Sequence, residues 1–180
     1  MNVRLIAGRF GGRIIEGSDT DRTHPMSERI RNALFNKISD EIKDASILDA
    51  FAGSGAIGLE AVSRGAKNAV LIDSDKVAQK IIERNIYLLG VQKDVHLIRS
   101  TVSSWAKLTD ERFDIIFADP PFNDMQLSTV SLLFGLLKPN GLMVLSYPGK
   151  GEVPAETGVV VVDNRSYGNA ALAFYRQKDA

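Results

Sequence analysis

Ser46-Ile47-Leu48-Asp49-Ala50-Phe51-Ala52-Gly53-Ser54-Gly55-Ala56-Ile57-Gly58 is the stretch on which the reading of this chain turns. Its first five residues make a short apolar run with one acid, the pattern of a buried strand. Gly53 and Gly55 follow at once, and without a Cβ the backbone there can turn sharply and come close to a ligand. From Ala56 the pattern reads as a helix to Arg64, and Gly65 stands where a left-handed stop is cheapest. Strand, glycine-rich turn and helix in that order aim the free N–H groups of the helix start at whatever lies above the turn.

The same alternation continues downstream. Residues 68–73 read as a second strand, 76–89 as a helix ended by Gly90, and 95–98 as a third strand. Then come a short helix over 101–108, a fourth strand over 113–118, a helix over 126–137 and a fifth strand over 141–146, with two more strands over 159–162 and 171–175. Strands separated by helices predict an α/β fold: a seven-stranded, mostly parallel sheet with helices on both faces. Upstream, short apolar runs over 3–7 and 13–15 surround Gly8, Gly11 and Gly12 and predict a small β-hairpin. Residues 17–25 read as a loop. Over 28–38, Ile30, Ala33, Leu34 and Ile38 fall on one face of an amphipathic helix. The expected organisation is an N-terminal hairpin extension over 1–25, then one domain over 26–180.

The chain has 180 residues, room for one α/β domain and not for two comfortable ones. No apolar run approaches the roughly 20 residues needed to span a bilayer, and the first residues lack the pattern of a signal peptide. There is no cysteine, which excludes disulfides and thiolate metal sites and fits a cytoplasmic address. Twenty-two basic residues balance twenty-two acidic ones, yet the balance is uneven along the chain. Residues 1–37 hold seven basic residues (Arg4, Arg9, Arg13, Arg22, Arg29, Arg31, Lys37) against four acids (Glu16, Asp19, Asp21, Glu28), a local excess of three. Phosphate binding needs a basic face rather than a basic total, so charge leaves a nucleic-acid partner and an ordinary solvated surface both open.

Asp73 ends the second strand twenty residues after Gly53, where an acid can accept hydrogen bonds from both hydroxyls of a ribose. Gly53-x-Gly55-x-x-Gly58 with Asp73 is also the dinucleotide fingerprint, so a nicotinamide-dependent oxidoreductase is a rival reading. Asp49 counts against it. A buried carboxylate beside a pyrophosphate is repelled, whereas it suits a ligand carrying an ammonium and a sulfonium. The chain also leaves little room for the second mononucleotide-binding half plus a substrate domain.

The fourth strand runs into Asp119-Pro120-Pro121-Phe122. Ligands of open α/β sheets sit at the carboxyl ends of the strands, which puts this segment beside the glycine-rich turn. The prolines stiffen the loop. The Asp119 carboxylate and the Pro120 carbonyl can both accept from an NH₂ group, and Phe122 offers a flat face to a planar base. An aromatic amine is a poor nucleophile because its lone pair is delocalised, so holding it in the reacting direction is where a protein can contribute most. The Asp119 charge also favours the positive nitrogen that forms as a methyl group arrives. Taken alone, an Asp-Pro-Pro is more often a plain turn. The context downstream of the glycine-rich turn makes it a candidate site.

These residues carry a resemblance. The stretch from Asp49 to Gly55 resembles the S-adenosyl-L-methionine (SAM) binding motif of Rossmann-like methyltransferases, and Asp119-Pro120-Pro121-Phe122 resembles the motif of those acting on exocyclic or amide nitrogens. Arg4-Leu5-Ile6-Ala7-Gly8-Arg9-Phe10-Gly11-Gly12-Arg13, the run from Thr23-His24-Pro25 to Asn36, and Leu59-Glu60-Ala61-Val62-Ser63-Arg64-Gly65-Ala66 are similar to the RsmD family of bacterial 16S ribosomal RNA guanine-N2 methyltransferases. That resemblance implies a cytoplasmic, monomeric enzyme with SAM as cofactor and no metal. It would methylate one guanine of 16S rRNA, within a 30S particle or assembly intermediate and away from any membrane. By position, Asp49, Phe51, Ala52, Gly53, Ser54 and Gly55 would line the cofactor site, Asp73 and Ser74 would hold the ribose, and Thr101 would flank the adenine. Asp119 would serve both cofactor and target amine, together with Pro120, Pro121 and Phe122. Ser27 and Arg29 would lie near the methionine end of the cofactor or the RNA. The chain departs from the family in His24-Pro25-Met26, where Arg-Pro-Thr is usual, in Asp73, where Glu is frequent, and in Arg99-Ser100-Thr101-Val102, which offers only hydroxyls.

Arg9, Arg13, Arg29 and Arg31 are the candidate phosphate contacts, weighed against ordinary surface arginines. His24 and His96 do not suggest a metal site, and His96 reads as a core or strand-end residue. Trp105 is expected to pack a helix onto the sheet, and Tyr167 to sit in a turn. Besides guanine N2, the acceptors left open are adenine N6 in DNA or RNA and a glutamine amide in a protein. A non-catalytic RNA-binding module is a further alternative.

Overall fold

The computed structural model describes residues 1–18 and 26–178. Arg22, Thr23-His24-Pro25 and most of the expected 17–25 loop lie outside the described residues. The elements are β1 (Asn2–Arg4), β2 (Ile14–Glu16), α1 (Glu28–Lys37), α2 (Ser39–Ile42), β3 (Ser46–Ala50), α3 (Ala56–Ser63), β4 (Asn68–Asp73), α4 (Lys76–Leu89), β5 (Val95–Arg99), α5 (Val102–Leu108), β6 (Phe113–Ala118), α6 (Leu127–Phe134), β7 (Leu137–Pro148), β8 (Val159–Tyr167) and β9 (Ala170–Gln177).

Seven strands form one sheet in the order β5-β4-β3-β6-β7-β9-β8. The first five are parallel, and β9 and β8 are added antiparallel. The sheet is covered on both faces, as expected. One core gathers Leu34 and Phe35 of α1, Ile42, and the inner faces of α3 and α4; the other gathers Val102, Val130, Leu133 and Phe134 beneath α5 and α6. Because β3 to β5 are laid down on one side and β6 on the other, the order reverses between β3 and β6, the place where such sheets bind ligands. The far half ends in an antiparallel hairpin instead of a second mononucleotide-binding unit, which removes the structural basis of a dinucleotide fold.

Local chemistry explains the elements that match expectation. Asp75 caps α4 by accepting the Ala78 N–H at 3.0 Å, and Gly90 ends it at φ 67°. Its buried residues recur at helical spacing (Ala78, Ile81, Ile82, Asn85, Ile86, Leu89). Trp105 packs α5 against Phe113 of β6, with ring centroids 6.1 Å apart.

Several expectations are corrected. The helix expected over 126–137 stops at Phe134: Gly135 follows it, and Leu137 pairs with Phe113 as the first residue of β7. β8 runs to Tyr167, so Tyr167 ends a strand and the turn is Gly168-Asn169. His96 is exposed, because β5 is an edge strand. The short helix α2 carried no readable signal.

The N-terminal segment does pair as two antiparallel strands, with Val3 opposite Ile15. It is not loose, since Leu5 and Ile15 are buried in the same cluster as Leu34 and Phe35. Residues 6 to 10 lie along α3. Ser63 donates to the Ala7 carbonyl at 2.6 Å and accepts the Phe10 N–H at 3.0 Å, while the Ser63 carbonyl accepts the Arg9 N–H at 2.8 Å. Gly8 makes that approach possible. It has φ +83°, and a Cβ there would stand 1.9 Å from the Ser63 carbonyl oxygen. Gly8→Ala is therefore expected to destabilise the fold by about 2 kcal/mol or more, read as a lower denaturation midpoint. An unchanged midpoint would show that residues 6 to 10 contribute little to stability.

Among the described residues no helix is long and apolar enough to cross a membrane.

Candidate active site

The register of the parallel strands builds the site. Ala50 of β3 is level with Ala118 of β6 and Ile72 of β4, and Ala118 is level with Leu145 of β7. The next residue on each strand therefore falls in one row along the carboxyl edge of the sheet: Asp73, Phe51, Asp119 and Ser146. Sequence reasoning placed the two motifs side by side, and the register delivers that.

Beneath the row lies Asp49, 1% exposed. One carboxylate oxygen, Oδ2, accepts the Gly58 N–H at 2.9 Å; the other, Oδ1, is buried with no hydrogen-bond partner. Burial holds this carboxyl well above the usual range, the Gly58 N–H opposes the shift, and the nearby Asp119 and Asp73 add to it. Asp73 fixes the glycine-rich turn from the other side. Its Oδ2 accepts the Gly53 N–H at 2.9 Å and its Oδ1 accepts the Asp75 N–H at 2.9 Å. Burial raises its pKa, and these N–H groups oppose the rise. Ser74 is exposed beside it.

The turn itself is held at each step. Phe51 takes the left-handed conformation, φ 62°, which a non-glycine residue keeps only when its surroundings impose it. The Ala52 N–H donates to the Ile72 carbonyl at 2.8 Å, and Gly55 caps α3 at φ 83°. Asn85 binds the turn to the N-terminal strands: its Nδ2 donates to the Ser54 carbonyl at 2.9 Å and the Glu16 carbonyl at 2.8 Å, and its Oδ1 accepts the Glu16 N–H at 2.8 Å.

Asp119 is half-buried at the end of β6, and burial pushes its carboxyl up to about 6 against a hydrogen bond from Ser146. Pro120 is buried, Pro121 is half-buried, and Phe122 is 39% exposed. A cleft of about 530 Å³ opens here. Phe51 and Gly53 form one wall, Asp119 and Phe122 a second, and β1 with the start of α1 the third, through Arg4 and Arg31. Of the three raised carboxyls only Asp119 lines the cleft; Asp49 and Asp73 hold the glycine-rich turn from outside its lining, with Asp49 near enough to both others to feel their charge. Such a group of carboxyls marks a place prepared for positive charge.

The remaining candidates divide. Thr101 is exposed and outside the cleft, and its hydroxyl caps α5 by accepting the Ser104 N–H at 3.2 Å. Arg9 and Arg13 are exposed on either side of Phe10, their guanidinium carbons 4.6 and 6.0 Å from the ring centre; Arg13 also donates to the Leu88 carbonyl at 3.2 Å. Arg29 is exposed on the first turn of α1. Arg31 is a correction: it is 2% exposed and packed against Glu60, so it does not present a surface contact to RNA. The apolar spacing of α1 concealed this, because a lone Arg between Ile30 and Leu34 looks like the solvated face.

Glu60, Ser63 and Asn85 were missed. The available signal was polarity in the wrong place. Glu60 and Ser63 interrupt a helix that is otherwise apolar throughout, and Asn85 lies on the apolar face of α4.

Known proteins agree with this geometry. A family model described as "Conserved hypothetical protein 95" matches residues 3–176. The ribosomal RNA small subunit methyltransferase D of Buchnera aphidicola (subsp. Baizongia pistaciae) is 37% identical over 148 residues, covering 80% of this chain and 75% of that one. The protein of the same name from Haemophilus influenzae is 33% identical over 147 residues, covering 78% and 76%. The solved structure of the Escherichia coli protein yhhF superimposes with a TM-score of 0.89 at 29% identity, covering 99% of each chain. With the glycine-rich turn, the Asp119 segment and the N-terminal strands all inside the matched region, this chain belongs to the Conserved hypothetical protein 95 family, the RsmD family.

Proposed function

We propose that this protein transfers the methyl group of SAM to the exocyclic N2 amine of a guanine in small-subunit ribosomal RNA. One observation carries the reading. Asp119 and Phe122 share a cleft with the glycine-rich turn, at the point where the strand order reverses. The names of the relatives support RNA as the substrate.

The residues fit the cofactor. SAM carries an ammonium and a sulfonium, and the buried Asp49 has an oxygen without a partner in the neighbourhood of two other raised carboxyls. Asp49 would balance its positive charge, and Asp73 would accept from the ribose hydroxyls. When bound, SAM supplies a methyl group already activated on sulfur, so no metal is required. The chain's own part is positioning. The ionised Asp119 and the Pro120 carbonyl accept from the two N–H bonds of the amine and turn its lone pair towards the donor, worth roughly 7–11 kcal/mol at best. Phe122 stacks on the base, which must leave its own stack to reach the cleft. Asp119 then favours the positive charge developing on the nitrogen. Arg9, Arg13 and Arg29 supply phosphate contacts on the exposed N-terminal face.

Asp73→Ala is expected to weaken SAM binding roughly 10- to 100-fold, because ribose acceptors and the anchor of the Gly53 N–H are lost together. Calorimetry measures this, and unchanged affinity would remove Asp73 from the site. The function itself is tested by incubating the protein with methyl-labelled SAM and three acceptors from cells lacking their own enzyme: 30S subunits, naked 16S RNA and genomic DNA. Labelled N2-methylguanosine from the RNA or its particle is the expected result. Label in adenine, or in DNA alone, would keep the cofactor and overturn the acceptor. SAM binding without transfer to any nucleic acid would turn attention to a protein acceptor or a non-catalytic role.

A further inference from the structure

Two side-chain atoms among the described residues are buried without a hydrogen-bond partner: Oδ1 of Asp49 and Nε of Arg31. They have opposite charge. Asp49 holds the helix that follows the glycine-rich turn through the Gly58 N–H, and Arg31 lines the cleft that the turn also lines.

The surroundings of Arg31 leave it short of negative charge. Its Nη2 donates to the Arg4 carbonyl at 2.7 Å, and Glu60 stands 3.9 Å from Nε. Glu60 is also engaged by Arg64, at 2.9 Å from its Nε. Arg4 is paired with Glu28. Three guanidiniums therefore share two carboxylates, and the surplus positive charge lies in the cleft wall. Such a surplus is costly when it is almost wholly buried, unless an anion joins it. Burial already lowers the pKa of Arg31, with Glu60 and Glu28 opposing.

We infer that Arg31 is the anion subsite of the cleft and receives the carboxylate at the amino-acid end of the cofactor. An amino-acid zwitterion carries the complement of both orphaned groups: its ammonium is matched to the side of Asp49 and its carboxylate to the side of Arg31. A backbone phosphate of RNA is the other anion to consider. At 2% exposure Arg31 lies too deep for a bulky, strongly hydrated phosphodiester, while a carboxylate at the tip of a slender chain can reach it. The inference rests on SAM being the cofactor.

The test compares two uncharged-sulfur ligands by calorimetry: S-adenosylhomocysteine and its decarboxylated analogue, the 3-aminopropyl thioether of adenosine. Wild-type protein is expected to bind the decarboxylated analogue roughly 10- to 100-fold more weakly. In Arg31→Met that discrimination is expected to collapse, while in Arg84→Met, an exposed arginine outside the cleft, it persists. Arg31→Lys keeps a charge in place if the Met variant fails to fold, and its discrimination is expected to fall clearly below that of wild type. Equal binding of both ligands by wild type overturns the inference, as does undiminished discrimination in a folded Arg31 variant. Lost RNA affinity with undiminished ligand discrimination would assign Arg31 to a phosphate instead and overturn it too. If wild-type protein bound neither ligand, the failure would lie with the SAM reading itself.

Discussion

Asp119→Asn is expected to cut methyl transfer roughly 100- to 1000-fold, to leave SAM affinity nearly unchanged, and to raise the stability of the free protein. The three effects share one cause. Burial holds the Asp119 carboxyl up at about 6, so the folded protein prefers its neutral form. A carboxyl raised on folding contributes stability that is fully present below its unfolded pKa, near 4, and lost as pH rises through about 6. At neutral pH the charged group therefore works against the fold, by up to about 3 kcal/mol and by less than that because the cleft leaves the side chain partly exposed. Asparagine keeps the shape and removes the charge. It also places an NH₂ where an acceptor is needed, so the amine of the base loses its best partner.

Catalysis and stability should consequently run in opposite directions with pH. Single-turnover rates of the wild type are expected to rise with pH through about 6 and then level off, as Asp119 takes the ionised form that can accept from the amine. Thermal melts of the free protein should show the Asp119 contribution fading over the same interval, and both features should vanish in the Asn variant. A flat rate profile through 6 would show that the ionised form is not required. Joint loss of SAM affinity and turnover in Asp119→Asn would make the residue a cofactor anchor and not a holder of the target amine.

How much of this was legible in the sequence follows from what each segment packs against. Strands β3, β4 and β6 are covered on both faces, so each is an almost unbroken apolar run, and their ends match expectation. Helices α3 and α4 are closed off by Gly65 and Gly90, which marked their limits. The edge strands gave weaker signals. β8 is largely exposed, and most of its second half, Asp163 to Ser166, is polar: its contacts there are an ion pair from Lys37 to Asp163 and a hydrogen bond from the Tyr147 hydroxyl to Asn164, not an apolar layer. β7 begins at Leu137, before the Lys138-Pro139-Asn140 stretch that lies between the expected helix and the expected strand. The site was legible as two motifs, because a switch point brings the ends of adjacent parallel strands together whatever the loops contain. Its third wall was not. The contacts that dock the N-terminal segment join residues far apart in sequence, as Ile6 to Glu60 at 54 positions, and local periodicity holds no trace of them. The burial of Arg31 escaped for the same reason, since its partners lie on β1 and α3.

Glu60→Ala is the substitution expected to destabilise this protein most, by about 3–5 kcal/mol, the range for leaving buried charge uncompensated. Glu60 is 0% exposed, and both of its oxygens are in use. Oε1 accepts the Ile6 N–H at 2.8 Å; Oε2 accepts the Ala7 N–H at 3.2 Å and Arg64 Nε at 2.9 Å. Truncation leaves two backbone donors without acceptors and two guanidiniums, Arg31 and Arg64, without their shared counter-ion. Glu60→Gln should do less harm, because its carbonyl can still accept one of those N–H groups. Arg31→Met in the Glu60→Ala background should recover part of the loss, since the orphaned charge is then removed as well; a coupling of this kind separates buried electrostatics from mere loss of packing. The damage should also be local before it is global. Amide exchange at Ile6 and Ala7 is expected to speed up in Glu60→Gln under conditions where the β3 and β6 amides stay protected. Because β1 forms one wall of the cleft, affinity for SAM should fall in step with that loosening. Denaturation at the wild-type midpoint, or unchanged exchange at Ile6 and Ala7, would show that the apolar contacts of Leu5 and Ile15 and the hydrogen bonds of Ser63 and Asn85 hold the segment without it, and that Glu60 is a passenger in the core.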